Sequence, residues 1–507
     1  MSMAITAMGI IKKISDSYLT RRCITTLLTG IITSASTSVA AGDWQFTPSL
    51  NLDETFTDNV ESTPVDTTSS FVTQTIAGLG VEYDSNLANL TWSGTQIYAF
   101  YSHDSELNSH FRTLNASGQY SLWVNGPTFN ASANIANISQ NNANNSLADI
   151  VSGDTVEQKK YSTGLQYNFG NSSYSVTSSM NYNITRAEDN IGDNNGFNAH
   201  IGSENGNSTR HLYWQLSADY TKRKQKYTEN DGENYTVNAL FGAITPWNFN
   251  PFIRYYDESI QGTGVNSSLN TTSSWGPGIR WLASPHIIID LSYNVVADDT
   301  VSDDYFDTSI QWEPSARTSL ILGYSQRFFG ESYNLNFKHK TKRLTNRVSY
   351  NESLEVFDRN SFQETTPETP ELVESSEYSL NKGFDWSSQL QLSRTSFGVS
   401  VSTNERTSLE TNIKDDTFDA NISVTRTISP RSSLSLSAGF NYSIYDKDNP
   451  LGSRQEDYYR TISANFTRSL ASSLSSNFNL QHVNRDSTID RLSYDEVRVM
   501  INITKEF

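Results

Sequence analysis

Residues 434–444 of this 507-residue chain read Leu-Ser-Leu-Ser-Ala-Gly-Phe-Asn-Tyr-Ser-Ile, with an apolar or aromatic side chain at every second position. Successive side chains of a β-strand point to opposite faces of the sheet. The stretch therefore predicts a strand with one apolar and one polar face. Strands of soluble proteins are usually about 5–6 residues long, whereas a tilted strand that crosses a bilayer needs about 9–11 residues. The length of this stretch favours a membrane strand over a strand of a soluble β-sandwich.

The same alternation recurs from residue 44 to the end of the chain. Clear examples are residues 44–56, 90–100 and 212–220, where Ser, Thr, Asn, Gln and Gly fill most of the intervening positions. Marking such segments gives about 24 strands, within a range of roughly 18–26. We therefore predict an all-β fold, a single large antiparallel transmembrane β-barrel that spans residues 41–507.

The gaps between the predicted strands alternate in length. Short gaps such as 84–88 and 470–472 follow long polar gaps such as 139–156, 221–232 and 358–376. Outer-membrane barrels have short periplasmic turns and longer extracellular loops, which explains the alternation. One gap, residues 329–332, is short where a long loop is expected. With an even strand number, both termini lie in the periplasm.

Composition narrows the class of protein further. Aromatic residues make up 12% of the chain, charged residues 18%, and the mean hydropathy is −0.52. That hydropathy excludes a bundle of transmembrane helices, each of which needs about 20 apolar residues. A barrel is compatible with it, because lipid-facing and lumen-facing residues alternate. The net charge of −18 disfavours a nucleic acid as partner.

The N-terminus has the order of a secretory signal. Lys12, Lys13, Arg21 and Arg22 precede an apolar stretch, and small residues follow up to Ala40. Residues 1–40 are therefore predicted to be a cleaved signal peptide that exports the chain through the inner membrane. The predicted location of the mature chain is the cell outer membrane. Cleavage removes Cys23, the single cysteine, so the mature chain has neither a disulfide nor a cysteine zinc site. Since the first strand begins at Trp44, no room remains for an N-terminal plug domain, and we expect inward-folded loops or a partner to occlude the barrel.

The C-terminal strand carries a second export-related signal. Val497, Val499, Ile501, Ile503 and Phe507 share one face, and the chain ends on that phenylalanine. A terminal aromatic residue on an alternating strand resembles the signal read by the barrel-assembly machinery of Gram-negative bacteria. We predict that this strand closes the barrel. The partners expected on this basis are the assembly machinery, outer-membrane lipid and lipopolysaccharide.

Three motifs resemble the porin-type outer-membrane β-barrel family associated with the PEP-CTERM/exosortase system. They are Trp-Gln-Phe-Thr-Pro-Ser-Leu at 44–50 with Glu-Thr-Phe-Thr-Asp-Asn-Val at 54–60, Trp-Glu-Pro-Ser-Ala-Arg-Thr-Ser-Leu at 312–320, and Arg-Phe-Phe-Gly-Glu-Ser-Tyr at 327–333 leading into His-Lys-Thr-Lys-Arg at 339–343. The resemblance implies an outer-membrane component beside exopolysaccharide production and export. It also implies exopolysaccharide and a periplasmic export protein as partners, and it implies no reaction.

A basic strip is the most distinctive local feature. It comprises Arg327, Lys338, Lys340, Lys342 and Arg347, which alternate with apolar residues. An Arg or Lys on the lipid face costs about 2–4 kcal/mol near mid-bilayer, so these side chains are predicted to face the lumen. Two interpretations remain open. The strip guides an anionic polymer, or it pairs with lumenal carboxylates such as Glu352 and with acidic loops folded inward.

The sequence indicates no catalytic, cofactor or metal site. The seven histidines are scattered without metal-ligand spacing, and nucleophile-elbow, P-loop and His-Glu-x-x-His motifs are missing. His103-Asp104 and Asp303-Asp304 are the candidates for a rim hydrolase. Residues 189–196 and 446–449 have oxygen ligands suited to calcium but ordinary turn composition. The acidic segment 364–377 is predicted to be an extracellular loop that binds divalent ions or lipopolysaccharide.

The leading prediction is a non-enzymatic outer-membrane channel or conduit linked to exopolysaccharide export. The first alternative is a structural or adhesive barrel that anchors surface polymer through its loops. The second alternative is an outer-membrane hydrolase with a site at the rim.

Overall fold

The computed structural model describes residues 42–140, 150–151, 155–190, 192–226, 231–262, 269–297, 303–356, 362–366, 369–372, 378–409, 412–445 and 454–507. The predicted signal peptide, residues 1–40, lies outside this part of the chain. Within it, 24 strands form one antiparallel sheet and two short strands form a separate hairpin.

The strands follow one another along the chain with short or long connections between them. They are β1 (Asp43–Thr57), β2 (Ser70–Asp84), β3 (Ala88–Tyr101), β4 (Ser109–Ser121), β5 (Thr128–Ser139), β6 (Thr155–Gly170), β7 (Tyr174–Ala187), β8 (Asn194–Asn205), β9 (Leu212–Gln225), β10 (Asp231–Ala243), β11 (Phe249–Gln261), β12 (Leu269–Ser284), β13 (Ile287–Val296), β14 (Tyr305–Ser315), β15 (Thr318–Arg327), β16 (Gly330–Lys340), β17 (Leu344–Val356), β18 (Phe362–Thr366), β19 (Thr369–Leu372), β20 (Tyr378–Gln391), β21 (Thr395–Ser408), β22 (Lys414–Ser429), β23 (Ser432–Tyr445), β24 (Gln455–Ala471), β25 (Leu474–Ser487) and β26 (Tyr494–Glu506).

Helical structure in the described ranges is limited to two single turns. These are the 3-10 helices Ser105–Leu107 and Asp490–Leu492. No helix in this part of the chain has the length and apolar character needed to cross a bilayer.

The sheet closes on itself through its first and last strands. Each barrel strand pairs with its neighbours in chain order, with the β18–β19 hairpin inserted between β17 and β20. β1 pairs with β2 on one side and with β26 on the other, from Ser49 opposite Glu506 to Thr57 opposite Arg498. The Phe507 N–H also donates to the Pro48 carbonyl at 2.9 Å. The prediction of a closed antiparallel barrel of about 24 strands is confirmed.

The two ends of the barrel differ in their connections. Connections at one end are two to six residues long, and those at the other end reach 21 residues between β17 and β20. We assign the long connections to the extracellular side, as in other outer-membrane barrels. Several of these loops are shorter than predicted because the strands continue past the apolar belt; for example, 221–232 was expected to be loop, whereas the β9–β10 connection is 226–230.

The short extracellular connection predicted near residue 329 is also present. Phe328 and Phe329 alone join β15 to β16. Gly330 follows with a φ of +109°, a conformation that glycine adopts without the steric cost a side chain would add. No longer loop therefore extends beyond the two strands of this hairpin.

Aromatic pairs surround the outer face at both ends of the apolar belt. Near the periplasmic end, Trp44 contacts Tyr83 and Phe249 stacks on Trp281, with ring centroids 4.6 and 5.7 Å apart. Near the extracellular end, the pairs are Phe56–Phe71, Tyr293–Phe306, Tyr324–Tyr333 and Tyr442–Tyr458. Two such girdles at the membrane interfaces are characteristic of outer-membrane barrels.

Candidate functional site: the barrel lumen

The number of strands makes the lumen wide. With a strand spacing of about 4.8 Å and a tilt of about 40°, the circumference is roughly 150 Å, or about 48 Å across for a circular section. Side chains alone fill the interior of barrels of about eight strands. This lumen is too wide to be filled in that way, so the wall and its loops determine how much of it is open.

Hydroxyl and amide groups line much of this wall. Across adjacent strands, the hydroxyl oxygens of Thr95 and Thr113 lie 2.6 Å apart, and so do those of Ser437 and Ser463. The neighbouring residues on the same strands, such as Leu436, project to the outer face and are exposed there. The alternation seen in the sequence thus separates a polar lumen from an apolar exterior.

One side of the lumen is closed by a tight bend of the wall from β11 to β15. Arg254 on β11 forms an ion pair with Asp307 on β14 at 3.0 Å, and Arg327 on β15 pairs with Glu258 on β11. β11 and β15 are four strand spacings apart, which is about 19 Å along a flat wall. Two side chains can meet over that separation only if the wall curves strongly inward. The lumenal face of β11 is accordingly buried.

An apolar cluster joins separate segments of the extracellular mouth. Buried Ile260 of β11 and Tyr378 of β20 pack together, with Phe328, Leu354 and Leu409 around them. These residues come from β11, β17, β20 and the connections after β15 and β21, which are not all neighbours in the sheet. The cluster therefore covers part of the opening above the β11–β15 bend.

Two loops fold onto the inner wall on the β1–β6 side. Val60 from the β1–β2 loop packs against Val72 and Ala99, and Val151 from the β5–β6 loop packs against the same cluster. The Tyr101 hydroxyl donates to the Val151 carbonyl at 3.1 Å. These contacts agree with the expectation that loops narrow an otherwise wide barrel.

Several charged side chains in the extracellular half of the lumen are paired with an opposite charge. Arg485 and Asp457 meet at 2.9 Å, and both side chains are only 1% exposed. Three further pairs of the same kind are Arg406–Asp415, Arg498–Glu496 and Arg327–Glu258. Buried pairs satisfy each other, and breaking one leaves a charge without compensation. These residues therefore support the wall.

The predicted basic strip falls into two parts. Arg327 lies at the extracellular end, in the pair with Glu258, whereas Lys338 and Lys340 lie near the periplasmic end of β16. Arg347 of β17 lies directly opposite Lys338, and Lys342 is in the β16–β17 turn. The first residue of the predicted strip thus belongs to the structural bend, and the remaining four form one group.

The lumenal orientation of this group follows from the register. Phe337 pairs with Val348 on the lipid face, so the next pair, Lys338 and Arg347, points to the lumen. Lys338, Lys340, Lys342 and Arg347 are all exposed, and none has an ion-pair partner among the described residues.

Glu352 does not act as their lumenal partner. It shares the outer face with Tyr350, whose hydroxyl donates to it at 2.7 Å, and it also accepts the Tyr333 N–H at 3.3 Å. The sequence-based suggestion that Glu352 neutralises the strip was wrong. Above the apolar belt, the outer face of a strand tolerates a carboxylate, and two-residue periodicity puts Glu352 there with Tyr350.

The candidate hydrolase residues serve structural roles. His103 Nδ1 lies 2.8 Å from Ser70 Oγ, but Ser70 is only 2% exposed. Asp104 instead accepts the Glu106 N–H at 2.8 Å and caps a 3-10 turn. Asp304 accepts the Val296 N–H at 3.0 Å. This geometry presents no accessible Ser–His pair at His103.

Sequence reasoning missed a hydroxyl–His–Asp arrangement on the lumenal wall. His200 Nδ1 lies 2.7 Å from Asp219, and its Nε2 lies 3.5 Å from the Thr177 hydroxyl. The three residues are on adjacent strands, about 20 positions apart in the chain, so only the register brings them together. Acyl transfer also needs donors for an oxyanion, and the N–H groups of paired strands are engaged in the sheet.

The candidate calcium segments do not form a site in the described residues. Asp193 accepts the Ala187 N–H at 2.7 Å and lies 3.5 Å from the Lys226 ammonium. No group of three or more His, Cys, Asp or Glu residues that could hold a metal occurs in the described ranges. Residues 446–449, and the side chains of the acidic segment 364–377, lie outside them.

A polar recess of about 470 Å³ lies on the lumenal wall of β17 and β20–β22. Its lining includes Asn351, Asn381, Asn404, Asp385 and Arg406. Amide groups offer both donors and acceptors, and carboxylates accept. The recess can therefore form hydrogen bonds with a ligand rich in hydroxyl groups.

No protein-family model and no curated protein sequence matches the chain. Solved structures of outer-membrane proteins are similar to it at low identity. OmpT of Vibrio cholerae is 8% identical, with 92% of this chain and 98% of that chain covered and a TM-score of 0.33. OpdK of Pseudomonas aeruginosa, determined with vanillate, is 6% identical, with 91% and 99% covered and a TM-score of 0.37.

The ferric enterobactin receptor PfeA of Pseudomonas aeruginosa, as a mutant, is 9% identical, with 91% of this chain and 80% of that chain covered and a TM-score of 0.43. Because the identities and TM-scores are low, these similarities establish no residue-by-residue correspondence. The class of this protein is therefore inferred from features of the chain itself. The closed sheet, the exposed apolar outer face and the two aromatic girdles are those of an outer-membrane β-barrel.

Proposed function

We propose that the protein is a non-enzymatic conduit for a hydrophilic polymer across the outer membrane, acting in exopolysaccharide export. The observation that carries the proposal is the 24-stranded barrel with a polar lumenal wall. Barrels of 16–18 strands already leave an aqueous channel. The polar recess supports a sugar polymer as cargo, because its amide and carboxylate side chains can form hydrogen bonds with hydroxyl groups.

The link to a PEP-CTERM/exosortase system rests on the three sequence motifs. The first covers β1, which pairs with the C-terminal strand β26 to close the barrel, and the second spans the β14–β15 turn. The third includes the short Phe328-Phe329 connection and runs to the turn that contains Lys342. Since no family model matches, this link needs a genetic test. The proposed partners are outer-membrane lipid and lipopolysaccharide, the barrel-assembly machinery and a periplasmic export protein.

Two experiments test the conduit. The purified full chain in a planar bilayer should give large conductance steps, and variants with the Ile260–Tyr378 contact removed should conduct more. In cells, deletion of the gene should trap exopolysaccharide in the periplasm. A barrel that stays silent even after the mouth cluster is removed, together with unchanged secretion in the deletion strain, would refute the proposal.

One observation favours the alternative of a structural or adhesive barrel. The 21-residue connection between β17 and β20 contains its own hairpin, β18–β19, and five glutamates lie between 364 and 377. Such a loop could hold surface polymer through divalent ions. Deletion of residues 361–374 distinguishes the two functions. Under the conduit proposal, secretion of the polymer falls or is unchanged and its attachment to the cell surface persists. If the protein is an anchor, the polymer is no longer attached but is still secreted.

A further inference from the structure

Cations without partners are concentrated at one part of the periplasmic end. Four consecutive periplasmic turns carry Arg317, Lys342 with Arg343, Arg394 and Arg431. Lys338, Lys340 and Arg347 face the lumen directly above the second of these turns. We call these eight residues the periplasmic basic arc. All eight are exposed, and none has an ion-pair partner among the described residues.

Several cations at the extracellular end are paired instead. At the extracellular end, Arg254, Arg406 and Arg485 are each paired with a carboxylate within 3.0 Å. On the opposite side of the periplasmic rim, the strand ends instead carry the acids Asp43 and Asp84. An acidic protein with a net charge of −18 thus leaves eight exposed cations without ion pairs along one stretch of this rim. Single exposed cations without an ion pair, such as Lys160, Arg210 and Arg491, also occur elsewhere in the described ranges.

Within the arc, two like charges stand directly opposite each other. Lys338 pairs with Arg347 in the β16–β17 register. Like charges in directly opposed positions destabilise a sheet. No carboxylate among the described residues neutralises them, so the arrangement raises the energy of the empty barrel and would be relieved by a bound anion.

The spacing of the arc fits an extended chain of charges. Neighbouring turns are two strands apart, or about 10 Å along the wall, which is roughly the length of a disaccharide. This distance is close to the Debye length of about 8 Å at physiological ionic strength, so the fields of adjacent turns overlap. A mouth lined by one sign of charge concentrates ligands of the opposite sign.

The arc also leads to a second surface. Along the lumenal side of β17, Arg347 is followed by Ser349, Asn351 and Ser353, and the last two line the polar recess. A polymer chain bound by Arg347 therefore has hydroxyl-binding groups immediately ahead of it toward the extracellular end.

We propose that the periplasmic basic arc captures a carboxylate-bearing polysaccharide and feeds it into the lumen at the β16–β17 side. This inference rests on the proposed conduit function and names its substrate class. The lumenal position of Lys338, Lys340 and Arg347 favours a polymer over anionic phospholipid, because lipid contacts only the outer face of the wall.

Equilibrium binding to the purified full chain in detergent tests the proposal, with fluorescent polygalacturonate as probe and dextran of equal length as neutral control. The test variant combines Lys338→Gln, Lys340→Gln and Arg347→Gln. The matched control combines Arg112→Gln, Lys222→Gln and Lys224→Gln, which removes the same charge from the extracellular rim, where the cations are paired. Both variants should keep the heat-dependent gel shift of a folded barrel, since all the replaced side chains in the test variant are exposed.

At low ionic strength the test variant should bind polygalacturonate roughly 100-fold more weakly, since a unit charge at contact in water contributes about fivefold. The control should stay within about threefold, because its charges lie at the opposite end of the barrel and the Coulomb energy falls with distance. High salt should remove the difference, and dextran should bind weakly to all three proteins. Lys340→Gln alone, expected to weaken binding about fivefold, keeps the test possible if the triple variant does not fold.

The outcomes separate the two proposals. A conducting barrel whose polygalacturonate affinity is insensitive to the test variant, or equally sensitive to the control, refutes the arc and leaves the conduit. A silent barrel with arc-dependent binding refutes the conduit and keeps the arc as a polyanion site. If the test variant loses co-purifying phosphatidylglycerol and retains polygalacturonate binding, the arc is a lipid site and the inference is wrong.

Discussion

Replacing Arg485 by glutamine should destabilise the barrel far more than removal of an exposed cation. The Arg485 guanidinium lies 2.9 Å from the Asp457 carboxylate, with both side chains 1% exposed, and it stacks on Tyr459 at 5.1 Å. The Gln455 amide donates to the same carboxylate at 2.7 Å. This single remaining donor cannot replace a charge. We expect a loss of about 3–5 kcal/mol in the free energy of unfolding, the usual effect of removing one partner of a buried pair.

The free energy is measured by guanidinium titration of the barrel in lipid vesicles, followed by tryptophan fluorescence. Lys382→Gln is the matched control, because Lys382 and Glu405 are 3.9 Å apart with side chains 38% and 36% exposed. Exposed pairs contribute about 0–1 kcal/mol. Asp457→Asn in the Arg485→Gln background should recover about half of the loss, since no charge then remains buried. The reasoning is refuted if Arg485→Gln costs no more than the control, or if the second substitution adds its full single-mutant loss.

Four further substitutions test the faces, the backbone contacts and the charges of the wall. Leu436→Arg puts a charge on the lipid face and should lower the free energy of unfolding by about 2–4 kcal/mol. Ser435→Arg puts the same charge on the lumenal face and should lower it by at most about 1 kcal/mol. Both are measured by the same guanidinium titration, and equal losses would contradict the assigned faces. Gly276→Ala should lower stability by about 1–3 kcal/mol, because its Cβ would collide with the Tyr293 carbonyl oxygen; a neutral effect would mean that the two backbones do not approach. Arg347→Gln should raise the unfolding free energy by about 0.2–1 kcal/mol by removing repulsion from the lysine opposite, and a loss of stability would contradict the unpaired state of the arc.

Local patterns were sufficient for the strand assignment. The alternation around Leu436 is a property of neighbouring residues, and it persists in the barrel because lipid and water select for opposite side chains on the two faces. The short connection at Phe328-Phe329 was likewise visible as a short gap. The loop boundaries were less accurate, since strands continue beyond the apolar belt, where alternation no longer separates strand from loop.

The candidate sites depended on register, which local patterns do not specify. Arg327 and Lys338 belong to neighbouring strands and look alike in sequence, yet the wall's bend pairs Arg327 with Glu258 while Lys338 stays unpaired among the described residues. His200 meets Asp219 through adjacent strands. These side-chain contacts depend on strand pairing and on the curvature of the wall, which are properties of the whole sheet.

The chain's amino-acid order alone therefore established a closed-barrel architecture with about 24 strands, because side-chain alternation and gap lengths are local and each strand reports its own two faces. The folded barrel decided which charges are neutralised and which remain available. The physical reason is that ion pairing acts over a few ångströms between groups far apart in the chain, so a charge such as Arg347 acquires or lacks a partner only when the sheet has closed and curved.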